Sequence, residues 1–183
     1  MTEKFHRAFG CYGIIGNSNS LVVIKKNGGP YINRFDLPGG SLEDGEKLLD
    51  AVKREVNEET GLVVEDCTQI CVTSFEYPWD YQQWHFNQHI CVFYRINEVK
   101  GNIKTEVEQF TGQDSLGALS VPLNKLTIAN SSPLVLKAKE FLLEPASFDL
   151  TDQTFKTWQV LDKPVFNKKA TKFLLNRFFV KLL

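Results

Sequence analysis

Three glutamates, Glu55, Glu58 and Glu59, are the residues of this sequence with the clearest potential for chemistry. Apolar residues around them recur every three or four positions, which predicts a helix over 46–60. Positions i, i+3 and i+4 lie on one side of a helix, so the three carboxylates project together and repel one another. A hard divalent cation such as Mg²⁺, which prefers oxygen ligands, would offset that repulsion. The alternative is an exposed acidic helix that binds no ion.

Two neighbouring features favour a cation site. Arg54 precedes Glu58 by four residues, so its guanidinium can pair with that carboxylate and fix its orientation. The Gly39-Gly40 pair allows the backbone to approach the same carboxylates closely, because glycine has no Cβ.

The spacing of glycine and charged residues extends well beyond these glutamates. Gly40 is followed after five residues by Glu46, after seven more by Arg54-Glu55-Val56, then by Glu58-Glu59 and Gly61-Leu62 with one residue before each pair. This pattern resembles the signature of the Nudix hydrolases. The resemblance covers about residues 8–144.

The resemblance implies an α/β fold, a Nudix-type α/β/α sandwich with a mixed β-sheet and a loop-helix-loop metal site. It also implies divalent-metal-dependent hydrolysis of the pyrophosphate bond in a nucleoside diphosphate linked to another moiety, NDP-X. By that resemblance Glu55, Glu58, Glu59 and the Gly39 carbonyl would bind Mg²⁺ or Mn²⁺.

The catalytic roles also come from the resemblance. Arg54 and Glu46 would hold the loop and orient the ligands, and one carboxylate of the motif would act as general base, with Glu55 preferred to Glu58. A non-catalytic nucleotide-sensing module of the same fold is the alternative. The complete motif favours the enzyme, since a sensor has no need of the full set.

Members of the family often recruit a further carboxylate from outside the motif. Glu106, Glu108 and Asp114 are the candidates, and each could instead be a solvated loop charge. We prefer Asp114 because it directly precedes a predicted strand.

Substrate binding has two sets of candidates. Lys26 and Arg34 lie on either side of a Gly-Gly-Pro loop, and the fork of an arginine suits a phosphate group. The stretch 75–86 contains seven aromatic or histidine residues, so Trp79 and Trp84 could stack on a base from a loop. The same rings could instead close the core or form a dimer contact.

One residue points towards a particular substrate. Pro78 lies sixteen residues after Leu62, a position associated in the family with ADP-ribose hydrolysis. An ADP-ribose-like compound is therefore the leading substrate candidate.

The elements that must position these residues follow from periodicity and turn residues. Alternating or apolar runs predict strands over 8–16, 20–26, 62–75, 86–97 and 117–123, and a second helix over 134–143. The Nudix domain would occupy residues 1–144. Residues 145–183 would form an extension with a strand near 154–160 and a basic amphipathic helix at its end, which we expect to pack on protein, with a homodimer as one arrangement.

The composition limits the remaining function classes. The chain of 183 residues carries 21 lysines and arginines against 22 aspartates and glutamates, which argues against a dedicated nucleic-acid binder. No apolar run reaches the ~18 residues needed to span a bilayer, and the first residues do not predict a secretory signal. Four scattered cysteines fit reduced thiols, so we expect a cytoplasmic protein with a small-molecule nucleotide as its partner, no nucleic acid and no membrane.

Overall fold

A computed structural model of the protein describes residues 4–166. The strands are β1 (Phe5–Ile14), β2 (Ser20–Lys26), β3 (Phe35–Asp36), β4 (Gly39–Gly40), β5 (Val63–Tyr81), β6 (Trp84–Lys100), β7 (Ser115–Pro122) and β8 (Gln153–Thr154). The helices are α1 (Leu48–Thr60) and α2 (Pro133–Leu143).

The strands form two sheets. One has the order β4-β1-β6-β5-β8, and the other has the order β3-β2-β7. The first sheet is mixed, because β1 runs parallel to β6 whereas β5 and β6 form an antiparallel hairpin. Alternate residues of β1 point to opposite sides: Cys11 joins the cluster under α1, and Tyr12 and Ile14 join the cluster under α2. The predicted α/β sandwich with a mixed sheet is therefore confirmed.

Each helix begins and ends where its sequence dictates. Helix α1 buries Ala51, Val52 and Val56 and ends at Gly61, whose φ of 76° is the left-handed conformation that favours glycine. Helix α2 begins at Ser132, whose hydroxyl accepts a hydrogen bond from the Val135 amide. The carboxylate helix thus has a fixed rotation relative to the core.

The aromatic stretch is a strand rather than the predicted loop. Residues 75–81 continue β5, and Gln82-Gln83 turn the chain directly into β6. Aromatic residues alternate with other residues along this stretch, a period of two that places them on one face. Pro78 is accommodated because, within residues 4–166, the outer edge of β5 is paired only with β8, at Phe75 and Glu76.

Residues 145–166, here named the C-terminal strap, return across the domain. The expected strand over 154–160 is shorter and lies at Gln153–Thr154, parallel to β5. Most of the basic amphipathic helix predicted for the chain end lies outside the described residues. Across 4–166 no helix is both long and apolar enough to cross a membrane.

All four cysteines are free thiols. Cys11, Cys71 and Cys91 are buried, and Cys67 is partly buried. This agrees with the expectation of reduced thiols.

Candidate active site

The turn before α1 and the end of α1 are joined through Glu59. This carboxylate is only 2% exposed, and its Oε2 accepts a hydrogen bond of 2.8 Å from the Gly39 amide. Gly39 has a φ of +147°, and a Cβ there would lie 2.2 Å from the Cys11 carbonyl oxygen. Glycine is thus required at this position for the backbone to reach the glutamate.

Glu55 lies against the second glycine of the turn. A Cβ on Gly40 would come within 2.6 Å of Glu55 Oε1, so the absence of a side chain makes room for the carboxylate. Burial raises the pKa of Glu55, with Arg54 opposing the shift and Glu58 adding to it. Burial also raises the pKa of Glu59 well above its usual range.

Arg54 connects the carboxylates of the motif. Its guanidinium forms a bidentate pair with Glu46, at 2.9 Å from Nε to Oε1 and 2.8 Å from the terminal nitrogen to Oε2. It also donates to the Ser41 carbonyl at 3.0 Å and to Glu55 at 2.9 Å, whereas Glu58 is 3.4 Å away. The expected pair of Arg54 with Glu58 is present but long, and the principal partner of Arg54 is Glu46. The bond to Arg54 lowers the pKa of Glu46 to about 2, which keeps this pair ionised.

The donor set fits a hard divalent cation. Two of its carboxylates, the partly buried Glu55 and the buried Glu59, are oxygen donors whose negative charge is under-compensated, as their raised pKa values indicate. Oxygen ligands of this kind are those that Mg²⁺ and Mn²⁺ prefer. Between residues 4 and 166, however, no three carboxylate, histidine or cysteine side chains already surround a common point closely enough to hold an ion.

A second charged cluster lies beside the motif. Lys26 Nζ is 2.5 Å from Asp114 Oδ2. Burial acts to lower the pKa of Lys26, but the carboxylates of Asp114, Glu59 and Asp36 outweigh it, so the pKa is raised. Lys26 is therefore a buried, charged ammonium that faces carboxylates.

A cavity of about 440 Å³ extends from this charged cluster to the aromatic end of the β5–β6 hairpin. The charged end is lined by Lys26, Asp36, Gly40, Ser41 and Asp114, and the other end by His6, Phe9, Trp79, Tyr81 and Asn87. Pro30, Tyr31, Tyr12 and His89 line the wall between them. The cavity thus combines an end that carries Asp36 and Asp114, beside Gly40 of the motif, with an aromatic end. Glu55, Glu58 and Glu59 are not among its lining residues.

The aromatic end is a stack of rings. Trp79 and Tyr81 lie parallel at 4.7 Å between centroids, with an interplanar angle of 5°. Trp84 stacks behind Tyr81 at 6.3 Å, and the His6 ring meets all three rings edge-on. His6, Trp79 and Tyr81 line the cavity and Trp84 does not, so Trp84 supports the surface rather than forming it.

Comparison with known proteins gives the family. The NUDIX domain model matches residues 4–142, more than two thirds of the chain. This chain belongs to the Nudix family.

Individual relatives agree with this assignment. An ADP-ribose pyrophosphatase of Methanocaldococcus jannaschii is 45% identical over 58 residues, which is 32% of this chain and 34% of that protein. An 8-oxo-dGTP diphosphatase of Proteus vulgaris is 28% identical over 103 residues, 55% of this chain and 83% of that protein. The chain thus spans about a third of the first relative's length and most of the second's.

Solved structures show the same fold. A MutT Nudix hydrolase from Burkholderia pseudomallei superposes with a TM-score of 0.59 at 22% identity, covering 74% of this chain and 97% of that one. A MutT protein from Bacillus halodurans gives a TM-score of 0.60 at 17% identity, covering 84% and 94%.

Arg34 of this Nudix domain does not have the environment of a phosphate-binding residue. It is 4% exposed, and its terminal nitrogens donate to the carbonyls of Ile128 at 2.7 Å and Gln159 at 2.8 Å. Its guanidinium also lies 4.7 Å from the ring centroid of Trp158. The structure therefore gives no support to the prediction that Arg34 binds substrate, because burial and these partners leave its terminal nitrogens no access to a ligand.

The three candidate carboxylates outside the motif lie in different environments. Asp114 lines the cavity, whereas Glu106 and Glu108 are exposed and do not.

Sequence reasoning missed Asp36, which accepts a hydrogen bond of 2.5 Å from the Ser132 hydroxyl and whose pKa burial raises to about 6. A lone acid in the apolar run before Gly39-Gly40 was the available signal.

A buried hydrogen-bonded group of three residues also went unpredicted. The Tyr12 hydroxyl is 2.7 Å from His89 Nε2, and the Tyr31 hydroxyl is 3.2 Å from His89 Nδ1. Burial lowers the pKa of His89 to about 3, so the imidazole is neutral and donates to one tyrosine while accepting from the other. Strand pairing brings these residues together across 58 to 77 positions of sequence, which no local motif reveals.

Proposed function

We propose that this Nudix protein hydrolyses the pyrophosphate bond of an NDP-X substrate with the help of Mg²⁺ or Mn²⁺. The observation that carries the proposal is the arrangement of the complete motif beside a 440 Å³ cavity whose far end is aromatic. A charged diphosphate suits the carboxylate end only with a cation, and a flat base suits the aromatic end.

Glu55, Glu58, Glu59 and the Gly39 carbonyl are the proposed metal ligands. A bound divalent cation would neutralise the diphosphate and lower the pKa of a coordinated water. Glu55 is the preferred general base because Arg54 and the Gly40 backbone hold its carboxylate at a fixed place, and the more exposed Glu58 is the second choice. Addition of water across the P–O–P bridge then gives a nucleoside monophosphate and phosphorylated X.

The remaining residues are proposed to act through their positions and charges rather than by reacting. Arg54 binds Glu46 through two hydrogen bonds and reaches Glu55 with a third, so it holds two carboxylates at fixed places. Lys26 places one buried positive charge at the cavity wall, where it balances Asp114 and faces the site of the phosphates. Asp114 is the proposed additional carboxylate.

An ADP-ribose-like compound is the proposed substrate. Support comes from Pro78 and from the 45% identity to a relative named ADP-ribose pyrophosphatase. Trp79, with Tyr81 stacked on it, is the proposed base-binding surface. The relative named 8-oxo-dGTP diphosphatase makes that nucleotide the first comparison substrate.

The test is a substrate panel containing ADP-ribose, other nucleoside diphosphate sugars and 8-oxo-dGTP, with Mg²⁺, Mn²⁺ or EDTA. Products are separated by anion-exchange chromatography, and we expect monophosphate release from ADP-ribose only with metal. Glu58→Gln should reduce turnover by about 10²- to 10⁴-fold. Glu98→Gln, the same change at an exposed position of β6, is the matched control. Nucleotide binding without turnover in any condition would instead favour the sensing module.

A further inference from the structure

The C-terminal strap lies outside the part of the chain that matches the family, which ends at residue 142. It is nevertheless attached to the domain along its length. Asp152 accepts hydrogen bonds from the Ser74 amide at 2.7 Å and the Thr73 hydroxyl at 3.3 Å, and the Phe155 amide donates to the Glu76 carbonyl at 2.8 Å. The strap therefore extends the five-stranded sheet at its outer edge.

Beyond β8 the strap contacts one loop repeatedly. Residues 27–34, here named the pocket loop, contribute Gly29, Pro30 and Tyr31 to the cavity wall. Four hydrogen bonds join the two segments: Trp158 Nε1 to the Pro30 carbonyl at 2.9 Å, Arg34 to the Gln159 carbonyl at 2.8 Å, Asn33 to the Leu161 carbonyl at 2.6 Å, and the Val165 amide to the Asn33 carbonyl at 3.0 Å.

Trp158 is at the centre of this contact. Its ring meets Tyr31 edge-on at 5.5 Å and lies 5.2 Å from Tyr77, and the Arg34 guanidinium covers it at 4.7 Å. Trp158 itself does not line the cavity. It holds Tyr31 from behind, and Tyr31 in turn bonds His89 on the inner wall.

The pocket loop has conformational features that require such support. Gly29 has a φ of 64° and Asn33 has a φ of 69°, so two of its residues are in the left-handed region. For Asn33 that conformation is offset by the two hydrogen bonds it makes with the strap. The loop's geometry and the strap's attachment are therefore coupled.

We propose that the C-terminal strap is a positioning element for substrate binding, with Trp158 fixing the pocket loop in the shape that forms the cavity wall. Trp158 acts through Pro30 and Tyr31 and not by touching substrate. Only the effect on enzyme kinetics that we expect from this inference rests on the proposed function. The attachment of the loop is a property of the chain that can be measured without turnover.

The experiment compares the full-length chain with Trp158→Ala, Trp158→Phe and Phe148→Ala. Phe148 is the matched control, because it is another aromatic residue of the strap but packs on Phe141 at 5.3 Å, on helix α2 rather than on the pocket loop. Trp158→Phe keeps a ring and removes only the donor to Pro30, which provides a milder variant if the alanine variant does not fold.

Hydrogen–deuterium exchange with mass spectrometry is the first readout. Loss of the hydrogen bond to Pro30 and of the ring contacts with Tyr31 and Arg34 should accelerate exchange in residues 29–34 by roughly 10-fold or more in Trp158→Ala, and less in Trp158→Phe. Exchange in α1 should not change, and Phe148→Ala should leave the pocket loop as in the wild type. Unchanged exchange of the loop in both Trp158 variants overturns the proposal.

Steady-state kinetics on the substrate found in the panel is the second readout. Trp158→Ala should raise KM several-fold with kcat close to the wild-type value, because the cavity wall and not the reacting centre is disturbed. An equal rise of KM in Phe148→Ala, or a fall in kcat alone, contradicts a positioning role. A wild-type protein inactive on every substrate refutes the proposed function, and the exchange measurement then still decides the role of the strap.

Discussion

Replacing Glu59 by glutamine tests two effects of its negative charge. One is the loss of folding stability that the buried charge causes without metal, and the other is the proposed metal binding. The Glu59 carboxylate is 2% exposed, and burial raises its pKa well above the usual range despite the opposing effect of Lys26. Its ionised form is therefore a net cost to the metal-free fold at neutral pH. Glutamine has nearly the same shape, and its amide oxygen can still accept the hydrogen bond from the Gly39 amide. The substitution removes the charge and replaces the second carboxylate oxygen by an amide NH₂ group.

The sign of the pH dependence follows from the direction of the shift. A carboxyl group whose pKa is raised in the folded state contributes stability below its unfolded pKa of about 4.3 and loses it as the pH rises towards the folded pKa. In EDTA the melting temperature of the wild type should thus fall relative to that of Glu59→Gln between pH 5 and pH 8. At pH 7.5 the variant should melt at or above the wild-type temperature.

Binding of the proposed metal should reverse the order of the two melting temperatures. A cation present at 100 times its Kd stabilises the folded state by about 2.7 kcal/mol. For a domain of this size each kcal/mol raises Tm by roughly 2–4 °C, so saturating Mg²⁺ or Mn²⁺ should raise the wild-type Tm by about 5–10 °C. Glu59→Gln lacks one proposed ligand charge and should gain much less.

Differential scanning calorimetry with and without metal measures both effects. Glu98→Gln, which changes an exposed glutamate of β6, should respond to metal as the wild type does. An equal metal-induced rise of Tm in Glu59→Gln and the wild type would refute the ligand assignment. A Tm of Glu59→Gln several degrees below the wild type in EDTA would refute the argument that its buried charge is a net cost.

Three further predictions concern residues around this centre. Arg54→Lys keeps the charge but loses the bidentate geometry with Glu46, so kcat/KM should fall by roughly 10- to 100-fold; an unchanged value would exclude a positioning role. Burial lowers the pKa of His89 to about 3, so its ring resonances in NMR should not titrate between pH 5 and 8. The folding stability that depends on the neutral imidazole should be lost only as the pH falls below about 6.5, the pKa of the unfolded state. Trp79→Ala should raise KM more than Trp84→Ala, since only Trp79 lines the cavity; equal effects would contradict stacking on Trp79.

The carboxylate helix could be predicted because its determinants are local. The apolar spacing fixes which side of α1 is buried, and Gly61 fixes its end, so the relative directions of Glu55, Glu58 and Glu59 follow from the chain itself. The approach of Gly39 to Glu59 also follows from two glycines in sequence. These features required no knowledge of distant strands.

The errors arose where distant segments decide the environment. Arg34 has the chemistry of a phosphate-binding residue, but the carbonyls that occupy its guanidinium come from residues 128 and 159. The proline and polar residues of the aromatic stretch predict a loop, but its rings alternate along a strand whose partner, β6, follows later in the chain. The role of the strap also depends on tertiary contacts, since a β-strand of two residues leaves almost no pattern in the sequence.

The three cations discussed above, at the motif, at the cavity and in the pocket loop, all have partners within the protein. Lys26 is paired with Asp114, Arg54 is bound by Glu46, and both terminal nitrogens of Arg34 donate to backbone carbonyls. These three cations are therefore already engaged by the protein, and a diphosphate would add further negative charge to an end of the cavity that is rich in carboxylates. Under the proposed function the divalent cation consequently serves binding as well as reaction, because it offsets the charge of substrate and glutamates together. Under the proposed function, the acidity that disfavours the metal-free motif would favour a substrate that binds together with the metal.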